Sequence, residues 1–298
     1  MHLRVCLPVL MAACLSAPVA VDAQTAGAGF TSERLTIVTR GQGPDIVLIP
    51  GLVSHRDVWA AVADTLDDRY RLHLVQVNGF AGLPAGANAE GPVSAPVAEE
   101  IARYIRETKL SAPAIIGHSM GGTIGMMLAA RHPSSVGRLM VVDMVPNIGL
   151  LFGPPGTTPE AVRKMAEDMR AKTLAETPGS PTGSLETMMP TMTRVDAMKP
   201  VLLQYVKESD RRTAANAFHE LMVTDLGPEL GRIAAPTTVL YVIPPQVTAP
   251  PEEFDKGLRG MFANLPRVTF VRIADSNHFI QYDQPERFIK EVDAFMRR

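Results

Sequence analysis

The stretch "AIIGHSMGGTIGMMLAARHP", residues 114–133, constrains this chain more than any other. An apolar run leads directly into Gly-His-Ser-Met-Gly, and a helical pattern follows until Pro133 closes it. A serine with glycines two places before and two places after suits a sharp strand-to-helix turn. Such a turn strains the serine backbone and lifts its hydroxyl clear of the sheet. The five residues alone are a weak signal, because Gly and Ser are common. The apolar "AII" before them and the long helix after them supply the context that the motif requires. Ser119 is therefore read as a nucleophile, the alternative being a structural serine in a turn.

The rest of the chain supports a sheet around that turn. "RLTIVTR" and "DIVLIP" read as strands joined by the turn "GQGP". "LHLVQVN", "PAIIG", "RLMVVDMVP", "TTVLYVI" and "VTFVRIA" are further apolar runs, separated by segments with helical spacing such as "VSAPVAEEIARYIRETK". The strands show no clean two-residue period. That is the expectation for a parallel sheet covered on both faces. Residues 147–231 break the rhythm, because they contain no convincing strand and are Met-rich and helical. The expected organisation is an α/β core over 24–146 and 232–298, with 147–231 as an inserted helical lid at the sheet edge where open α/β folds place their ligands.

Residues 1–23 read as a signal peptide. "MHLR" is a basic start, "VCLPVLMAACL" an apolar core, and Val21 and Ala23 precede Gln24 as a small-x-small cleavage site. Periplasmic or secreted localisation follows as an expectation, with lipoprotein anchoring at Cys14 as the alternative. Cys6 and Cys14 are the two cysteines. The chain beyond the leader thus has no thiol nucleophile, disulfide or cysteine-ligated metal. A formal net charge of −2 gives no electrostatic case for nucleic acid. No integral membrane segment, cofactor or metal is expected in the chain after cleavage.

These motifs together resemble the α/β-hydrolase superfamily. The resemblance covers about residues 33–298 and rests on "IPGLVSHRDVW", "IIGHSMGG", "IAAPTTVLYV" and "DSNHFIQYDQPERF". It implies a mostly parallel eight-stranded sheet with helices on both faces and a lid inserted after the sixth strand. It also implies an oxyanion hole built from two backbone N–H groups. One belongs to Leu52, after Gly51 in the loop where Pro50 replaces the family's usual His; the other belongs to Met120, after the nucleophile. Leu52 is also compatible with plain core packing.

An attacking serine needs a neutral imidazole beside it. His278, after the last expected strand, matches the family's histidine loop, and Asp283 reads as the N-cap of the final helix. His118 occupies the motif's variable position. His73 falls in a strand, His132 ends a helix and His219 lies in the expected lid; His55 is the remaining candidate. The third member of such a site is an acid that orients the imidazole. The family's usual place for it follows "TTVLYVI", where this chain has Gln246 and Val247. Glu252, Glu253 and Asp255 come later and look like helix N-terminal charges. Asp143, after "LMVV", is the favoured acid, as in some superfamily members, certain haloalkane dehalogenases among them. Asp275 and a Ser-His dyad are the alternatives.

A serine nucleophile with a histidine base points to acyl transfer, most often to water. The expected substrate is a small-molecule carboxylic ester with a small to medium apolar acyl group. Lactones, peracids, thioesters and C–C bonds stay open within the fold. A low-turnover receptor or a transferase are readings from other classes. The lid methionines Met165, Met169, Met188, Met189, Met192, Met198 and Met222 are either packing or an adaptable apolar wall around an acyl chain.

Overall fold

The computed structural model describes residues 25–26, 29–154, 156–176 and 184–298. The expected signal peptide, residues 1–23, lies outside the described residues. The strands are β1 (Thr25–Ala26), β2 (Leu35–Arg40), β3 (Asp45–Ile49), β4 (Arg71–Val77), β5 (Ala114–His118), β6 (Arg138–Val142), β7 (Thr237–Tyr241) and β8 (Val268–Arg272). They form one eight-stranded sheet in the order β1-β2-β4-β3-β5-β6-β7-β8. β1 and β2 join antiparallel, and β2 runs antiparallel to β4. Every other neighbour is parallel. The two-residue β1 carries too little pattern to be read from sequence.

The helices explain why the central strands lack alternation. α1 (Ala60–Leu66), α2 (Ser94–Glu107), α3 (Met120–Arg131), α8 (Pro251–Met261), α9 (Ile280–Asp283) and α10 (Pro285–Arg297) connect or follow the strands. β5 and β7 are buried at every position, as parallel strands covered on both faces must be. β8, at the sheet edge, has no fully buried residue. "DVWAAVADTLDDRY", one helical pattern in sequence, is a 3-10 turn over Arg56–Trp59 followed by α1. His55 breaks the pattern there: it caps the turn by accepting from the Asp57 N–H.

Between β6 and β7 the chain forms α4 (Pro159–Ala175), α5 (Ser184–Met188), α6 (Lys199–Glu208) and α7 (Arg211–Val223). Thr158 and Asp210 cap α4 and α7 with side-chain oxygens. Glu220 of α7 is buried, and its carboxylate accepts from the N–H groups of Val93, Ser94 and Ala95 at 2.7, 2.6 and 3.0 Å. This helical segment is thereby bonded to the start of α2. No helix among the described residues is long and apolar enough to cross a membrane.

Candidate active site

β5 ends at His118, and the chain turns into α3 through Ser119 at φ 54°, ψ −122°. That conformation costs a non-glycine residue about 1–3 kcal/mol and persists only where its surroundings enforce it. Ser119 N–H donates to Val142 O at 2.9 Å, and Ser119 O accepts from Gly122 N–H at 2.7 Å. The flanking glycines are needed for close approach. A Cβ on Gly117 would fall 2.1 Å from Gly121 O, and one on Gly121 would fall 2.2 Å from Ile49 O. No side chain fits at either place, which is the steric content of the G-x-S-x-G pattern.

The loop after β3 lies against this turn. A Cβ on Gly51 would sit 3.1 Å from Ser119 Cβ. Leu52 and Met120 are both buried, and Met120 is the first residue of α3, where a helix leaves its leading N–H groups without intrahelical acceptors. Both candidate donor residues are therefore held beside Ser119.

His278 and Asp143 are brought together. His278 Nδ1 and Asp143 Oδ2 are 2.6 Å apart, across 135 positions of sequence. Asp143 is one residue beyond β6, at φ 50°, a left-handed conformation that Asp tolerates better than most residues. Its N–H donates to Leu240 O at 2.8 Å, and its Oδ1 accepts from Val242 N–H at 3.1 Å. One carboxylate oxygen thus anchors the group to the end of β7 and the other meets the imidazole. Because Nδ1 donates to a carboxylate, Nε2 is the nitrogen left to accept a proton.

The other carboxylates considered from sequence lie elsewhere. Glu252 and Glu253 stand in the first turn of α8. Asp255 accepts from Tyr241 Oη at 2.8 Å and from Arg272 at 3.2 Å. Asp275 is exposed. Asp283 does not cap α10, because the N-cap is Gln284 and no side-chain capping bond forms there. Asp283 ends α9 instead, and its carboxylate serves the His278 loop.

His118, at the variable position of the turn, packs against the His278 ring. It is fully buried, and its ring centroid is 4.6 Å from that of His278. Burial, reinforced by the neighbouring His278, pushes its pKa well below the usual histidine range, so it is neutral. Its Nε2 lies 3.0 Å from His278 O. A carbonyl only accepts, so the proton is on Nε2 and His118 donates. The variable position of the turn therefore supports the loop of the candidate base. No local signal marks this, since the two residues are 160 positions apart. His73, His132, His55 and His219 stand apart: the first three pair with Asp45, Glu99 and Asp57, and His219 lies in α7. A separate cavity of about 300 Å³, lined by Arg138, Thr237, Thr238 and Arg267 among others, lies at the amino ends of β6–β8, the opposite end of the sheet.

A strained serine at a strand-to-helix turn, a histidine packed against the ring of the preceding His118 and a carboxylate on that histidine define a class: hydrolases on a doubly covered parallel sheet. The alpha/beta hydrolase fold family model matches residues 44–285, and the chain belongs to that family. Among curated relatives, it is similar to pimeloyl-[acyl-carrier protein] methyl ester esterases. The Chromobacterium violaceum protein is 29% identical over 70% of this chain and 78% of the relative. The Aeromonas hydrophila protein is 34% identical over 41% of this chain, and that match spans about half of the relative, 46%. Among solved structures, the enol-lactonase from Burkholderia xenovorans LB400 superposes with a TM-score of 0.70 at 20% identity, covering 89% of this chain and 96% of the other. A thermophilic esterase from Thermogutta terrifontis gives 0.71 at 21%, covering 88% and 93%. At these identities the two structures share the fold.

Proposed function

We propose that the protein is a serine hydrolase of carboxylic esters. Hydrolysis of an ester bond is the class-level reading on which the family and the named relatives agree. In the finer reading Ser119 is the nucleophile, His278 the base and Asp143 the acid that orients it. The observation that carries it is the 2.6 Å contact of His278 Nδ1 with Asp143, the residue after Val142, whose carbonyl accepts from the N–H of the strained Ser119. Ser119 Oγ attacks the ester carbonyl carbon while His278 Nε2 takes its proton. The carbonyl oxygen, now anionic, is met by the Leu52 and Met120 N–H groups. Collapse expels the alcohol, which receives the proton from His278 and leaves an acyl-enzyme. Water then attacks the acyl carbon, with His278 again as base, and releases the acid.

The segment between β6 and β7 acts in this reading as a lid over the acyl group. Met192 supports this, because its carbonyl accepts from Phe279 N–H at 3.1 Å, next to His278. A flexible thioether wall suits small to medium apolar acyl chains. The leader reading of residues 1–23 places the enzyme outside the cytoplasm, and N-terminal sequencing of the exported protein, expected to begin at Gln24, checks it.

The test is p-nitrophenol release from short-chain esters, beside matched lactones and thioesters. Wild type should turn over the esters and Ser119→Ala should lose that turnover. Ligand binding without turnover would point instead to a receptor, and preference for a lactone or thioester would move the substrate class.

A further inference from the structure

The carboxylate of Asp283 takes three donors from two parts of the chain. Oδ1 accepts from Thr193 Oγ1 at 2.7 Å and from Arg194 N–H at 2.8 Å. Oδ2 accepts from Asn277 N–H at 2.7 Å, one residue before His278. Two further bonds join the same segments. Asn277 Nδ2 donates to Thr191 O at 3.1 Å, and Phe279 N–H donates to Met192 O at 3.1 Å. Residues 191–194, from the helical segment between β6 and β7, are thus bonded to both neighbours of His278. Thr193 is buried, so its hydroxyl bond to Asp283 is the one of these that competes least with water.

We propose that Asp283 is a positioning residue that clamps the His278 loop to residues 191–194, so that the place of the imidazole against Asp143 and His118 depends on the segment between β6 and β7. The proposal rests on the reading of His278 as the base. Asp143 holds the ring by its Nδ1, and His118 holds the His278 carbonyl. Asp283 ties the backbone just before that residue to residues 193–194, and the Phe279–Met192 bond ties the backbone just after it. A substrate that displaces residues 191–194 would therefore move the base as well as the wall of the site.

Asp283→Asn tests the clamp by chemistry rather than by bulk. An amide has one oxygen, which can face Thr193 and Arg194 or face Asn277. With the oxygen on Thr193 and Arg194 the NH2 group meets the Asn277 N–H, and with the oxygen on Asn277 it meets the Arg194 N–H, so one of the two backbone bonds is lost in either orientation. Thr193→Val weakens it from the other segment. On p-nitrophenyl butyrate, Asp283→Asn should lower kcat roughly tenfold to hundredfold, the range expected when a reacting group is misplaced by about 1 Å, with KM little changed. Thr193→Val should show a smaller loss in the same direction. A second readout needs no turnover. The low-field proton resonance of His278 Nδ1–H, assigned by its loss in His278→Ala, should shift or broaden in both variants at temperatures well below unfolding.

Lowered melting temperature with unchanged kcat and an unchanged His278 resonance would make Asp283 merely structural and overturn the proposal. So would a Thr193→Val enzyme with wild-type kcat and resonance, because the buried Thr193–Asp283 bond would then contribute nothing to the place of the base. If wild type turns over no ester, the functional reading fails, while the resonance still decides the clamp.

Discussion

At the scale of single residues, the site depends on positions with little freedom. Asp143 has each carboxylate oxygen committed, one to Val242 N–H and one to His278. Asp143→Asn preserves the shape and the Val242 bond but presents an amide to Nδ1, favouring the wrong imidazole tautomer. Turnover should fall by roughly 10⁴-fold, while circular dichroism and melting stay close to wild type. A variant with near-normal kcat would remove Asp143 from the mechanism. The expectation of Asp143 came from an apolar strand ending in a carboxylate together with an empty position after "TTVLYVI". Asp275 is the lesser alternative in the sequence, and placement separates the two, because Asp275 is exposed while Asp143 meets the ring.

At the scale of elements, α2 lacks a capping side chain of its own. Its leading N–H groups are met instead by Glu220 of α7. An ionised carboxylate at a helix N-terminus satisfies orphan donors and opposes the helix dipole. Glu220→Ala leaves three largely buried donors without an acceptor and should cost about 2–4 kcal/mol of unfolding free energy, read as a lower urea midpoint with an unchanged slope. No loss would mean that water replaces the carboxylate there. The helices themselves are legible in their apolar spacing, and Thr158 and Pro159 mark the start of α4. Glu220 was not legible as a cap, since nothing in "AFHELM" signals a partner 125–127 positions away.

At the scale of the whole molecule, two buried histidines couple stability to acidity. Burial lowers the pKa of His118 and of His73, in the latter against the pull of Asp45. The unfolded chain binds a proton at each as pH falls through about 6.5, and the folded chain resists doing so. Stability is therefore full above that pH and declines below it, by at most about 1.4 kcal/mol per pH unit for each histidine. Asp45, held below its usual range by Arg71 and His73 against the opposing cost of burial, adds loss in the same direction at lower pH. Urea unfolding between pH 7 and 5 should show the decline, and His118→Gln, which cannot titrate, should make it shallower. A pH-independent midpoint over that range would refute the coupling. What is decided among near neighbours can be read along the chain: the turn at Ser119, where glycine spacing and strain are properties of five residues, and the alternation of apolar strand runs with segments of helical spacing. Tertiary structure decided which carboxylate meets His278, what His118 supports and what Asp283 bridges. These contacts join residues of ordinary type, remote in sequence, and their distances exist only once the sheet sets β6 beside β5 and β7 and gathers the strand ends at one edge.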